Sequence, residues 1–358
     1  MEKLDTYQPI GRDDKTVQIL RAFHAHHPAD GRVNFLHDFQ SLQTNEQLHD
    51  YAQSLINGLV APLRWLRSTP TISPRLGMEE SIENIDSEST EPMARESRLK
   101  RECLARDDQR CVVTGDVDRN SPGAHDMSYW ADTECVHIIP FSLASWKSEY
   151  KGHVKDIIWA NLIRHFPAIQ SLNFTRENIN DTKNAITMSG FLHRPFGCFD
   201  FSFEETSKPH TYRLQNYAPN LGWLARFLPA TVEFNSYDER YDLPSPELLK
   251  VHAIIARIFH ASGAAESIEK ALRDLGEHSM LTRDGSTDIS SMLAATTLGV
   301  LGSRATNDQP TCAAFPYSET NPQGTQRNVT HVDRPPSEKN SLATRNKHVF
   351  SYLPRNHL

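Results

Sequence analysis

Apolar residues return every three or four positions between residues 48 and 63. Leu48, Tyr51, Ala52, Leu55, Ile56, Leu59, Val60 and Leu63 form one stripe, which predicts an amphipathic helix. Thr44 and Gln47 stand ahead of it as a capping box. An earlier helix is predicted around Val17, Leu20 and Phe23, and another over His153–Phe166, with Ile158, Leu162 and Phe166 on one face. Ser245-Pro246-Glu247 opens a further one, whose buried side is marked by Leu248, Leu249, His252, Ile255, Ala256 and Phe259, and a shorter helix is predicted over Ser267–Leu275.

The middle of the chain follows a different period. Val136, Ile138 and Ile139 are β-branched around His137, and Pro140 ends the run, so His137 is expected at the end of a short strand. Asn184 opens a second extended run to Ser189. Gly190–Pro195 looks like a helical turn carrying His193, and Phe196–Phe203 alternates aromatic with small or polar residues as a strand does.

These patterns divide the chain into a helical region at 1–69, an acidic linker at 70–94, a strand-containing core at 95–217, a second helical region at 218–302 and a disordered tail at 303–358. The linker assignment rests on Pro70, Pro74 and Pro92 and on six acidic residues against one Arg. Packing of the helical stripes within the chain is the default, and pairing of two copies into a homodimer through the helical flanks is left open.

Composition adds bounds. With 358 residues, 38% of them hydrophobic, the chain can bury a sizeable core. No apolar run approaches the roughly 18 residues of a membrane span, and Met1–Ile10 lacks a signal-peptide pattern. Cys103, Cys111, Cys135, Cys198 and Cys312 form no C-x-x-C pair, so a structural zinc is not indicated. Cys111 and Cys135 are expected to be buried, and Cys135 is not read as a nucleophile. An odd cysteine count fits a reducing, intracellular location, in nucleus or cytoplasm.

The net charge of −7 is unusual for a phosphate binder. Over residues 95–203, however, fourteen Lys or Arg balance fourteen Asp or Glu, so the excess acid lies elsewhere. Basic residues gather at Arg98, Lys100, Arg101, Arg106 and Arg110 and again at Lys147, Lys151 and Lys155; Arg106, Arg110, Lys147 and Lys151 are the candidate phosphate contacts.

The candidate chemistry is hydrolytic. A histidine can deprotonate water near neutral pH, and imidazole with oxygen ligands can hold a divalent ion that offsets charge on a phosphate. His137, Asn184 and His193 are such a set, with Asp181 or Asp200 as further oxygen donors. The strings Arg106-Asp-Asp-Gln-Arg-Cys-Val-Val-Thr-Gly115, Val136-His-Ile-Ile-Pro-Phe141 and Leu192-His-Arg-Pro-Phe-Gly197, with Asn184 between the last two, resemble the HNH endonuclease family in the variety common among fungal proteins.

The resemblance covers roughly residues 100 to 217. It implies an α+β fold with a ββα-metal (His-Me finger) core and helical flanks. It further implies His137 as general base, Asn184 orienting the loop or binding metal, His193 as metal ligand, a divalent metal expected as Mg²⁺ with Mn²⁺ or Zn²⁺ as alternatives, and nucleic acid, expected as DNA, as substrate. Val136 and Gly197 stand where many such enzymes carry further metal ligands. A scaffold without catalysis, kept for nucleic-acid or protein binding, is the alternative.

Overall fold

The computed structural model of the chain describes residues 1–65, 92–122, 124, 129–143 and 149–269. The linker predicted at 70–94 lies outside the described residues up to residue 91, as do the end of the helix predicted over Ser267–Leu275 and the whole tail predicted at 303–358.

The first helices are α1 (Thr16–His26), α2 (Ala29–Ser41), α3 (Asn45–Leu55) and α4 (Ala61–Trp65), the last two joined by a π turn at Ile56–Val60. Thr44 Oγ1 accepts from the Gln47 N–H at 3.2 Å, and Gln47 Oε1 accepts from the Thr44 N–H at 3.3 Å, closing the expected capping box. The long predicted stripe therefore exists with a π step inside it. Leu48, Ala52, Leu55, Ile56, Leu59, Val60 and Leu63 are all buried within the chain, each Leu, Ile or Val side chain adding about 1.5–3 kcal/mol. This stripe, offered above for pairing with a second copy, is already occupied.

α2 was not anticipated, because it is polar along most of its length and buries only Gly31, Phe35 and Phe39. A Cβ on Gly31 would stand 1.9 Å from the His165 carbonyl oxygen, so only glycine lets α2 come this close to a neighbouring helix end. Beside it, His27 Nδ1 donates to the Phe23 carbonyl at 2.9 Å, leaving Nε2 to accept from His165 Nδ1 at 2.9 Å. Burial lowers these two imidazoles to about 4 and about 3.

The centre holds α5 (Pro92–Arg106), β1 (Val117–Asp118), β2 (Trp130–Ala131), β3 (Thr133–His137), α6 (Glu149–His165), α7 (Ala168–Ser171), β4 (Ala185–Ser189) and α8 (Gly190–Gly197). α6 appears where it was predicted, with Ile158, Leu162 and the following Phe166 buried. β1 and β2 pair in parallel, and β3 and β4 pair antiparallel with His137 opposite Ala185 and Glu134 opposite Met188. α8 follows β4 directly and packs on both strands.

The remaining elements are β5 (Phe201–Glu205), β6 (Thr211–Asn216), α9 (Leu224–Phe227), β7 (Thr231–Glu233) and α10 (Pro246–Ala261). The strand predicted from Phe196 begins only at Phe201. The reason is a Schellman ending to α8, in which Asp200 N–H donates to the Pro195 carbonyl and Phe199 takes a left-handed φ of 63°. Ser245 caps α10 as predicted, its hydroxyl accepting from the Leu248 N–H. α10 is buried around most of its circumference because it lies between β5 and α1.

Helices and small sheets thus combine in an α+β architecture. One apolar cluster runs from Phe23 and Phe35 through Leu59, Ile138, Ile186 and Leu162 to Phe203 and Ile254. Among the described residues no helix is long and apolar enough to cross a membrane.

Candidate active site

β3 carries two chemically different ends. By the two-residue alternation of a strand, Glu134 and Val136 share one face, and Thr133, Cys135 and His137 the other. Contacts fix which is which: Glu134 touches His193 of α8, whereas Cys135 Sγ lies 3.7 Å from Cys103 Sγ on α5. Cys103, Cys111 and Cys135 are free and buried.

At its C-terminal end β3 is locked by amides. The Ile138 N–H donates to the Asn184 carbonyl at 2.8 Å, continuing the ladder past the last paired residue. The Asn184 side chain then imitates another strand residue. Its Oδ1 accepts from the Ile139 N–H at 2.8 Å, and its Nδ2 donates to the Ile139 and Ile179 carbonyls at 3.0 and 2.9 Å. Asn184 is fully buried. Of the two roles expected for it, the loop-orienting one fits this geometry. The metal-binding one is corrected: the amide oxygen is taken up by a backbone N–H and shut away from solvent.

His137, nearly buried, sits as predicted at the strand end, its ring 5.7 Å from that of Phe141. Its Nε2 meets Asn180 Oδ1 at 2.8 Å. An amide oxygen can only accept, so Nε2 carries the proton and the basic lone pair stands on Nδ1. Asn180 was missed by the sequence reading, because nothing separates it from the other polar residues of the loop before Asn184.

The N-terminal end of β3 is ionic. His193 Nδ1 lies 2.5 Å from Glu134 Oε2, and the two side chains are 32% and 35% exposed. Glu134 was also missed, although strand alternation with the short β4 to α8 connection carried the signal.

His137 and Asn184 therefore meet at one end of the hairpin, and His193 stands with Glu134 at the other. Neither further oxygen donor joins them. Asp181 accepts from the Lys183 N–H at 2.9 Å, and Asp200 faces Arg64, Glu269 and Arg194, with burial pushing its carboxyl up to about 6.

The basic residues divide as well. Arg106 is fully buried and is corrected from phosphate contact to internal clamp. Its guanidinium binds the Asp107 carboxylate at 2.7 and 2.8 Å and donates to the carbonyls of Thr182, Asp242 and Ala185 at 2.8 to 3.1 Å. It holds the turn on which Asn184 sits and leaves no donor for a polymer. Arg110 is half-exposed and hydrogen-bonds Asp108 and the Gly115 carbonyl. Lys147 and the side chain of Lys151 lie outside the described residues.

Comparison with known families assigns the hairpin. Residues 111–204 match the HNH endonuclease family. The chain carries an HNH domain. No curated protein and no solved structure matches the chain. The matched span contains Glu134, His137, Asn180, Asn184 and His193, whereas Arg106, which clamps it, lies just outside.

HNH nucleases generally use a divalent metal, and this HNH domain offers few ligands for one. Among the described residues no three His, Cys, Asp or Glu side chains converge on a common point. Val136, fully buried, and Gly197 supply none in the two positions noted above. His193 is the side chain there that could hold an ion, with water and phosphate completing the shell.

Proposed function

We propose that this chain is a metal-dependent HNH endonuclease that hydrolyses phosphodiester bonds in nucleic acid, with DNA as the expected substrate and β3, β4 and α8 as its ββα core. The observation that carries the proposal is the amide lock around His137. Asn184 fixes the backbone just after it, and Asn180 fixes its tautomer.

In this reading His137 acts as general base. Its Nδ1 takes a proton from water, the resulting hydroxide attacks phosphorus, and the bond to the leaving oxygen breaks. Asn184 is a positioning residue that keeps the strand end from slipping, and Asn180 prevents the ring from presenting a protonated nitrogen to the water. His193 is the side chain placed to hold a divalent ion. Once bound, such an ion offsets charge on the phosphate and the leaving oxygen. The equal numbers of acids and bases over residues 95–203 are compatible with a polyanionic substrate, and Arg110, partly exposed, is the proposed phosphate contact among the described residues.

Purified full-length protein incubated with supercoiled plasmid and Mg²⁺ or Mn²⁺ tests the proposal. Nicking is expected, and His137→Ala should slow it by about 10²–10⁴-fold, the usual contribution of a general base, while leaving the circular-dichroism spectrum unchanged. Equal nicking by the variant would overturn the role of His137. No nicking of DNA or RNA with either metal would leave the HNH domain as a binding scaffold.

A further inference from the structure

Glu134 belongs to no expected site, yet it makes the closest polar contact of His193. An ionised carboxylate has no proton to give, so at 2.5 Å the hydrogen between them belongs to His193 Nδ1. The lone pair of the ring is thereby confined to Nε2. A Cβ on Gly190, the first residue of α8, would stand 3.1 Å from Glu134 Oε1 and 3.4 Å from its carboxyl carbon, so the carboxyl group lies against the opening turn of α8. Negative charge is favoured there by the helix dipole.

We propose that Glu134 is the positioning residue of His193, holding it in the Nδ1–H tautomer with Nε2 presented as a metal-ligating nitrogen. This deepens the nuclease reading and rests on it for the ion, though not for the tautomer. It also accounts for how an HNH domain with Val136 and Gly197 could retain one well-oriented ligand. Imidazoles that bind metals commonly donate their other N–H to a carboxylate, and loss of such a partner typically costs about 10- to 100-fold in metal affinity. The competing description is a half-exposed ion pair that merely ties α8 to β3.

Two measurements on the full chain separate these. In metal-free protein labelled with ¹⁵N at histidine, His193, assigned by its absence in His193→Ala, should show a proton-free Nε2. Glu134→Ala should give a mixture of tautomers, and Glu134→Gln, which keeps an accepting oxygen, should restore much of the wild-type pattern. Titration with Mn²⁺ followed by electron paramagnetic resonance should then show binding weakened about 10- to 100-fold in Glu134→Ala and abolished in His193→Ala. Gly190→Ala, which crowds the carboxylate without removing it, should shift both readouts in the same direction.

A proton on His193 Nε2 in the wild type would overturn the proposal. So would a Glu134→Ala protein whose tautomer and Mn²⁺ affinity are both unchanged. If the tautomer follows Glu134 but the wild type binds no Mn²⁺, the positioning role stands and the metal-dependent nuclease reading fails.

Discussion

The two ends of β3 meet histidines held by opposite kinds of chemistry, His137 on the strand itself and His193 on α8. His137 is nearly buried and met by neutral amides, Asn180 on its ring and Asn184 on the backbone that follows. His193, one-third exposed, is met by a carboxylate. On His137 the amide oxygen of Asn180 can only accept, which fixes the tautomer of the ring. A ligand for a cation gains from a negative partner behind it. The difference teaches that these histidines are told apart by their partners, since residue type and spacing treat them alike.

The largest effect should come from breaking the amide end. Asn184→Ala removes three buried hydrogen bonds and leaves the polar groups of Ile139 and Ile179 unsatisfied, so a loss of about 3 kcal/mol or more is expected in urea denaturation, together with loss of nicking. A stability loss under about 1 kcal/mol would show that the lock is not formed.

Acid comes next, through the buried His27 and His165 pair, whose imidazoles are lowered chiefly by burial. Both have folded values below the ordinary 6.5, so below about pH 6.5 the unfolded chain binds protons that the folded chain refuses. Stability should therefore fall as pH drops from 6.5 towards 4, by on the order of 3 kcal/mol for His27 alone. His165→Asn, which keeps a donor near Nδ1, should flatten that slope in denaturation at pH 7, 6 and 5.

Asn180→Ala should slow nicking by about tenfold at unchanged stability, because it frees the His137 tautomer without opening the core. The smallest change is expected for Glu134→Ala in thermal stability, below about 1 kcal/mol for a half-exposed pair. A larger loss there would make the two ends of β3 equally structural and weaken the contrast.

Most of the local structure was legible. The capping box at Thr44, the Ser245 cap, the stripe from Leu48 to Leu63 and the strand ending at His137 each depend on neighbours within a few residues. α2 escaped because its apolar signal is little more than Phe35 and Phe39. The break between α8 and β5 escaped because a left-handed Phe199 has no sequence signature. In the site, residue types pointed to His137, Asn184 and His193. The use of Asn184 on backbone, of Arg106 as a clamp and of Glu134 behind His193 depends on contacts 45 to 79 residues apart, which no local pattern encodes.

Arg106 has one more consequence. The span matching the HNH family begins five residues after it, yet its guanidinium gathers carbonyls from Thr182 and Ala185 inside that span and from Asp242 beyond it, and α10 covers β5 from still further along the chain. The unit that heredity marks out is thus smaller than the unit that folds. Excised at its family borders, the hairpin would lose the cation that organises its turn and β5 the helix that covers it, so transplanting this domain into another protein calls for a graft from at least Arg106 to Ala261.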